Sequence, residues 1–245
     1  MLRDFKADLH LHTCLSPCGD WQMTPRRIIR KCLEGGLRMI AVCDHHTIDN
    51  AAAVMREGRR WGVAVVPGME ICSREEVHLL AIFASLERAA DMQEYVYSGL
   101  SGENDPDIFG YQIVTNEAEE ILAENHRLLI GATGVRIAAI VARTHALGGL
   151  VFGAHVDRPA YGIIAQLGFI PADLAIDAVE VSVRIPLSEA RQKLPAIGDR
   201  PCVAGSDAHR LEDIGRAFTV LRLERPTVAE LGLALRAENG RGVVV

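Results

Sequence analysis

Two histidines flank a leucine near the start of the chain, in the run Asp8-Leu9-His10-Leu11-His12. Side chains two residues apart lie on the same face of a β-strand. A strand here would therefore place Asp8, His10 and His12 together. Two imidazoles on one face can bind a single transition metal, and a neighbouring carboxylate can orient a ring through its second nitrogen. The pattern indicates a metal site, with two chance histidines on a polar sheet face as the alternative.

Further ionisable residues stand where apolar runs begin or end. Asp44 and His45 follow the run 37–43, Glu70 follows 63–66, His78 opens 78–83, His155 follows 150–154, and Asp207 and His209 follow 202–204. In an α/β barrel, catalytic residues gather at the carboxyl ends of the strands. Most of these residues therefore predict one shared site, although His10, His12 and His78 lie within or early in their strands.

Three other histidines are not predicted to be ligands. On an extended segment His46 should point away from His45, so we expect it to give support or face solvent. His126 lies in a charged, helix-like stretch and should be exposed. His145 lies near the end of a predicted helix, where an imidazole complements the helix dipole.

Short apolar runs alternate with helix-like segments along the sequence. Strands are predicted at 5–11, 37–43, 63–71, 77–83, 150–154, 178–183, 202–205 and 218–223, and helices at 24–34, 47–60, 86–98, 116–127, 134–147 and 228–238. Repeated β-then-α units predict parallel strands and an α/β fold. About seven or eight units favour a barrel over an open sheet, in a single domain over residues 1–245.

The segment 98–110 interrupts this alternation. It is rich in Gly, Ser, Asn, Asp and Pro, which are typical of loops. Long loops are often functional, so the segment is either a surface excursion or a loop that covers a site.

The composition limits the partners that we expect. The 245 residues carry a net charge of −6 at pH 7 and include 2 Trp, 4 Tyr and 6 Phe. Phosphate contacts need clustered Lys and Arg, and single strands need aromatic platforms, so we expect no extended nucleic-acid surface. The longest uncharged stretch, 159–172, is too short to span a bilayer, and no signal peptide is visible. We therefore expect a cytoplasmic protein without membrane contact.

The motifs, taken in order, resemble those of the PHP domain family, named for polymerase and histidinol phosphatase. The matching residues are 8–13 (Asp-Leu-His-Leu-His-Thr), Asp44-His45, Glu70, His78, His155 and 205–209 (Gly-Ser-Asp-Ala-His). One motif alone is weak evidence, but here all of them occur in order over residues 8–209. The resemblance implies a distorted TIM-like barrel of seven β/α units.

The resemblance also implies two or three divalent metals, which would be zinc, manganese or iron. His10, His12, Glu70 and Asp207 would hold the first metal, Glu70 would bridge to a second metal held also by His78 and His155, and His45 and His209 would hold the third. Asp8 and Asp44 would support these ligands.

The third metal is where the sequence departs from the family pattern. Family members place an Asp or His just before a Gly in the loop after the first motif, whereas here Cys18 precedes Gly19. A thiolate is a good ligand for zinc. Asp20 could serve instead, and without either residue the third metal would be weakly bound or absent.

Together these features predict a hydrolase that cleaves a small phosphomonoester by means of a metal-activated water. A nucleotide, a sugar phosphate or a histidinol-phosphate-like compound would be the substrate, anchored by Arg158 and Arg184. No nucleophile-elbow or P-loop motif supports another hydrolase class. Two alternatives stay open: a 3′–5′ exonuclease or oligonucleotide phosphoesterase, and a non-catalytic metal-binding regulatory module.

Overall fold

The computed structural model describes residues 1–244, whose eleven strands form a nine-stranded sheet and a separate hairpin. The strands are β1 (Arg3–Leu11), β2 (Met39–Val42), β3 (Ala64–Cys72), β4 (His78–Ile82), β5 (Ile113–Thr115), β6 (Ile121–Glu124), β7 (Leu150–Gly153), β8 (Ala178–Val181), β9 (Cys202–Ala204), β10 (Thr219–Leu223) and β11 (Gly242–Val244). The helices are α1 (Pro25–Glu34), α2 (Ala51–Trp61), α3 (Leu86–Tyr97), α4 (Pro106–Phe109), α5 (Ile137–Ala146), α6 (Ile163–Leu167), α7 (Ala190–Lys193) and α8 (Val228–Leu235).

Seven strands, in the order β1-β2-β3-β4-β7-β8-β9, form the wall of a nearly closed barrel. The gap between β9 and β1 is bridged where Leu11 pairs with Ala208, and the His12 N–H donates to the Ala208 carbonyl at 3.0 Å. Strands β10 and β11 extend the sheet beyond β1. The predicted α/β class and the distorted, seven-stranded TIM-like barrel are confirmed.

Within the barrel wall one strand departs from the predicted parallel pattern, and beyond it β10 also pairs antiparallel with β1. Strand β4 runs antiparallel to β3 and β7, whereas β1-β2-β3 and β7-β8-β9 are parallel. Only residues 73–77 join β3 to β4, and a parallel connection needs a dozen residues or more. The start of β4 therefore lies beside the carboxyl end of β3, which brings His78 to the same end of the barrel as Glu70.

The central strands are buried on both faces. In β2, Met39 and Ala41 belong to one apolar cluster, and Ile40 and Val42 belong to a second one. All four side chains are fully buried. A strand covered on both sides reads as a continuous apolar run rather than an alternating one, as this stretch does. The two clusters hold the strands that carry the site in fixed positions.

Residues 98–136 leave the barrel between α3 and α5 and contain α4 and the β5–β6 hairpin. The helix predicted at 116–127 is therefore wrong. Asn116 Oδ1 accepts from the N–H groups of Ala118 at 2.9 Å and Glu120 at 3.0 Å, and Glu119 has a φ of 68°. This side-chain-stabilised turn overrides the helical propensity of the Glu- and Ala-rich segment.

Two further expectations concern the domain boundary and membrane-spanning helices. The single domain over 1–245 stays a prediction, and its last residue, Val245, lies outside the described residues. Among residues 1–244, no helix combines the length and the apolar character that a membrane crossing requires.

Candidate metal centre

Glu70 lies at the centre of a cluster of imidazoles. It belongs to β3 and is almost completely buried. Its carboxylate oxygens lie within 3.5 Å of five ring nitrogens, which belong to His78 (2.7 Å), His155 (3.0 Å), His12 (3.3 Å), His45 (3.3 Å) and His10 (3.5 Å). Strands β1 and β4, together with the segments that follow β1, β2 and β7, thus deliver five histidines to the carboxylate carried by β3.

Three sets of side chains could each hold a metal ion. The first set is His10, His12, Glu70 and Asp207, the second set is Glu70, His78 and His155, and the third set is His12, His45 and His209. Within each set, one nitrogen or oxygen from every residue lies within 4.8 Å of the others. Glu70 and His12 each belong to two sets, so the three form one connected cluster. The structure brings the expected ligands together, and their ligation stays a prediction.

The hydrogen bonds of His10 indicate a lone pair on its inner nitrogen. Nδ1 lies 3.0 Å from Oε1 of Glu180, and because a carboxylate only accepts, the Nδ1–H is the donor. In the neutral ring, Nε2 then presents its lone pair to Asp207 Oδ1 at 3.2 Å. Asp207 Oδ1 is buried and accepts no hydrogen bond from the described residues. A lone pair facing a carboxylate oxygen is stabilised by a cation or a proton between them, so this donor set fits a metal.

A short chain of hydrogen bonds holds His12 with the same orientation of its ring, so that Nε2 faces the cluster. Nδ1 lies 2.8 Å from Ser16 Oγ, and that hydroxyl donates to Asp44 Oδ1 at 2.7 Å. The Nδ1–H of His12 is therefore the donor, and Nε2 faces Asp207 Oδ1 at 3.0 Å. Asp44 also accepts from the Thr13 N–H at 2.7 Å and the Thr13 hydroxyl at 2.8 Å. Asp44 thus acts on the cluster through Ser16 and belongs to none of the three sets.

The charge balance of the cluster favours a cation. Burial raises the pKa of Glu70, but the surrounding imidazoles, His78 and His10 foremost, hold that pKa well below its usual range. Burial lowers the pKa of His12, but hydrogen bonds and charges from Asp207 and Glu70 raise it to about 9, so without a metal a proton is held on Nε2, where a bound cation would replace it. Burial, reinforced by the charge of His12, lowers the pKa of His209 to about 4. The carboxylates therefore stay ionised, and His209 stays neutral with a nitrogen free for a metal.

The third set opens towards the loop that follows β1. Cys18 Sγ lies 3.3 Å from His45 Nε2. Asp20 instead stabilises its own loop, because its Oδ1 accepts from the Gln22 N–H at 2.8 Å. Gly19 keeps this loop tight, since a Cβ there would overlap the Thr13 carbonyl oxygen. The structure therefore places Cys18 beside His45 of the third set, and Asp20 makes no such contact with that set.

A cavity of about 280 Å³ opens above the cluster. Both predicted phosphate anchors, Arg158 and Arg184, line it, and Arg158 donates to Asp207 Oδ2. The opposite wall is apolar and includes Ile130 and Tyr161. Within the described chain, residues 98–110 do not line this cavity, so the excursion reaches the site through Ile130.

Asp8 supports the loop that carries Asp207 and His209. Its two carboxylate oxygens accept from the N–H groups of Ser206 and Gly215, both at 3.0 Å. Burial raises the pKa of Asp8 to about 6. Asp8 belongs to none of the three sets and contacts the loop, as expected of a supporting residue.

Sequence analysis missed Glu180 and Ser16. Glu180 lies fully buried in β8, orients His10 and accepts from the His155 N–H at 3.2 Å. It packs so closely that a Cβ on Gly205 would overlap its Oε2. An acid inside the apolar run Ala-Val-Glu-Val was a readable signal. Nothing in the sequence distinguishes Ser16 from any loop serine.

The three histidines not predicted to be ligands lie outside the sets. His46 is buried, and its Nε2–H donates to the Gly131 carbonyl at 2.8 Å, so it gives support. His126 is exposed, in the irregular segment after β6. His145, in the last turn of α5, pairs with Asp177 at 2.9 Å.

Comparison with known families decides the relationship. The sequence model of the PHP domain matches residues 8–156, and a model described as PHP-associated matches residues 198–239. The chain belongs to the PHP domain family. This family consists of metal-dependent phosphoesterases, so the predicted enzyme class, a hydrolase acting on phosphate ester bonds, is confirmed at the level of the family.

Individual relatives are more distant. An uncharacterized protein of Methanocaldococcus jannaschii, MJ1587, is 35% identical over 78 residues, which cover 29% of this chain and 46% of that protein. The lesion-specific endonuclease EndoQ of Pyrococcus furiosus has a similar fold, with a TM-score of 0.73 and 18% identity over 99% of this chain. PsfC of Pseudomonas syringae is also similar, with a TM-score of 0.62 and 17% identity, covering 99% of this chain and 91% of its own. The chain spans only 58% of the endonuclease and under half of MJ1587.

One expectation about partners is wrong. A small phosphorylated substrate without any extended nucleic-acid surface was expected from the net charge and the few aromatic residues. A second EndoQ structure with a TM-score of 0.71 holds a 27-mer duplex with an abasic lesion at its active site, so this fold accommodates nucleic acid. Net charge averages over the whole surface and therefore hides a local concentration of basic residues.

Proposed function

We propose that this chain is a metal-dependent phosphoesterase that cleaves phosphate esters in nucleic acid. The observation that carries the proposal is the position of Glu70, which belongs to both the first and the second set and is buried with them. A carboxylate shared in this way fixes two cations at a short separation, as phosphoryl transfer with two metals requires.

The metals would be zinc, manganese or iron, because imidazoles and carboxylates suit all three. When bound, they would lower the pKa of water and screen the negative charge of the phosphate. His10, His12, Glu70 and Asp207 would hold the first metal, with His78 and His155 completing the second set and His45 and His209 the third. Cys18 would join His45 in the third set.

The chain's own groups then bind and orient the substrate. Arg158 and Arg184 would contact the non-bridging phosphate oxygens, for which a guanidinium offers two parallel donors. Glu180 and Ser16 keep the lone pairs of His10 and His12 aimed at the cluster. Asp44 accepts a hydrogen bond from Ser16 and so supports it. Asp8 accepts from the Ser206 N–H and supports the loop that carries Asp207.

The apolar wall supports a substrate that carries a base beside its phosphate. The Tyr161 ring stacks on His78 with centroids 4.4 Å apart, and 43% of Tyr161 remains exposed. Its backbone φ of 59° is unusual for a residue other than glycine. Aromatic faces of this kind stack on nucleobases of any sequence. At about 280 Å³ the cavity suits roughly one nucleotide, with the rest of the strand outside.

A substrate panel tests the proposal. The metal-loaded protein would be assayed on single-stranded and duplex oligonucleotides, on bis(p-nitrophenyl) phosphate as a small diester, and on p-nitrophenyl phosphate as a monoester. We expect cleavage of the diester and the oligonucleotides that is lost in Glu70→Gln. Turnover of monoesters alone would contradict the nucleic-acid assignment, and stable metal binding without turnover of any ester would indicate a non-catalytic module.

A further inference from the structure

The first two helices of the barrel carry a concentration of positive charge. Helices α1 and α2 together contain seven basic residues and two acidic ones, in a chain whose net charge is −6. The basic residues are Arg26, Arg27, Arg30, Lys31, Arg56, Arg59 and Arg60. The two helices therefore carry a net charge of +5 and leave −11 for the rest of the chain.

Most of this charge is not neutralised within the molecule. Arg30 and Lys31 share Glu34, and Arg56 pairs with Glu117. The other four basic residues make no ion pair within residues 1–244. All seven except Lys31 are exposed. An exposed surface with this excess of guanidinium groups attracts a polyanion.

A groove between α1 and α2 concentrates these groups. Its cavity has a volume of about 500 Å³ and is lined by Arg26, Arg30, Leu33, Glu57, Arg60 and Trp61. Trp61 is 52% exposed, and the Arg60 guanidinium carbon lies 5.6 Å from its ring centroid. The only carboxylate in the lining, Glu57, accepts from the Trp61 indole N–H at 2.8 Å and fixes that ring. Guanidinium groups beside an anchored aromatic ring are the elements of a sequence-tolerant strand-binding surface.

The groove begins at the end of the barrel that holds the metal centre. Helix α1 starts seven residues after Cys18, and α2 starts six residues after His45. Because both helices follow parallel strands, their first turns lie at the end of the barrel that holds the site. The groove then runs along the helices for about 15 Å, from Arg26 in the first turn of α1 to Trp61 in the last turn of α2.

We propose that the α1–α2 groove binds the sugar-phosphate backbone of a nucleic-acid strand that enters the metal centre. This inference rests on the proposed function only for the cleavage of the bound strand. Binding of the strand in the groove can be measured without cleavage. Arg26, Arg30 and Arg60 contact phosphates, and Trp61 stacks on a base. The negative charge of the strand is complementary to the +5 charge of α1 and α2, whereas the rest of the protein is acidic.

Binding and catalysis are measured separately to test this. The metal-loaded protein binds a fluorescent, phosphorothioate single-stranded oligonucleotide, which resists cleavage, and anisotropy gives the Kd between about 50 and 200 mM salt. The triple variant Arg26→Gln/Arg30→Gln/Arg60→Gln is compared with Arg3→Gln/Arg88→Gln/Arg225→Gln, which removes the same charge from exposed positions elsewhere. The turnover of bis(p-nitrophenyl) phosphate reports separately on the metal centre.

We expect the groove variant to weaken binding at least about tenfold and to reduce the salt slope by about 2, since each phosphate contact on a single strand contributes about 0.7. The control triple variant should change the Kd less than about twofold. Trp61→Ala should weaken binding about tenfold, and Trp61→Phe should restore most of it. Turnover of the small diester should stay unchanged in all of them.

Three results would overturn the groove assignment. Equal losses in the two triple variants would mean that only overall charge matters. Unchanged oligonucleotide binding in the groove variant would place the strand elsewhere. A wild-type dimer that the groove variant converts to monomer would make a second copy the occupant. A protein that binds the strand through the groove but leaves the small diester intact would instead contradict the proposed function alone.

Discussion

The two histidines of the first set differ from His209 and Cys18, at the outer side of the cluster, in how they are held. His10 and His12 are fully buried, and each has its outer nitrogen fixed by a buried partner, Glu180 or Ser16. In the third set, the His209 side chain is 25% exposed, and its Nδ1–H is held by the backbone carbonyl of Asp207. Cys18 lies on an exposed loop.

This difference indicates that one cluster can combine sites that hold a metal tightly with sites that release it easily. Partners behind a ligand fix its orientation and typically change metal affinity ten- to a hundredfold, by about 1–3 kcal/mol. His10 and His12 have such partners, Glu180 on β8 and Ser16 in the loop after β1, whereas His209 is held only by a backbone carbonyl. We therefore expect the metal of the first set to stay bound under conditions that release the third.

Removing the shared carboxylate should have the largest effect on metal content and turnover. Glu70→Gln takes a charge from both the first and the second set, so we expect a loss of turnover of at least about a thousandfold and the release of two metals. Metal analysis and circular dichroism would show this loss in a folded protein. His145→Gln, which changes a histidine outside the sets, is the control and should retain both metals and activity. Normal turnover in Glu70→Gln would rule out the shared role.

Removing a partner behind the first set should have a smaller effect. Glu180→Gln lets an amide donate to His10 Nδ1, which favours the tautomer whose lone pair points away from Asp207. We expect a ten- to hundredfold loss of metal affinity, measured by competition with a chelator. Glu212→Gln, at a residue outside the cluster, serves as the matched control. Unaltered affinity in Glu180→Gln would mean that His10 is not a ligand.

The third set should respond to Cys18 alone. Cys18→Ser is expected to release one metal and leave the metals of the first and second sets bound, because Cys18 Sγ contacts His45, which belongs to the third set alone. Asp20→Asn, which leaves Cys18 in place, should keep the full metal content. Metal counting on both variants checks this, and the opposite pattern would assign the third set to the carboxylate.

The smallest effect is expected far from the centre, where β10 and β11 meet α8. Hydrogen bonds from Arg241 lower the pKa of Glu230 to about 2. A carboxyl whose pKa falls on folding stabilises the native state above its unfolded pKa, near 4.5, and loses that contribution as the pH drops towards 2. Arg241→Gln should flatten this part of the dependence of Tm on pH and leave the metal content unchanged. A curve identical to that of the wild type would show that the pair has no influence on stability.

The sequence was most informative where residue type and strand position coincide. His10 and His12 alternate with leucines along one strand, and the structure brings them together with four residues at the ends or starts of apolar runs, which are Glu70, His78, His155 and Asp207. The antiparallel direction of β4 was not predicted, since it depends on the length of a hairpin and not on a pattern. The β5–β6 hairpin was read as a helix because one Asn116 turn outweighs the propensity of the whole segment. Glu180 and Ser16 escaped because their importance lies in contacts with residues distant in the chain.

The close approach of Glu180 to Gly205 predicts how these two positions vary among relatives. Because a methyl group at 205 would overlap the Glu180 carboxylate, the two positions share one fixed volume. Among homologous chains, an alanine at 205 is therefore expected only beside a shorter acid, such as aspartate, at 180. The pair should therefore co-vary as a unit.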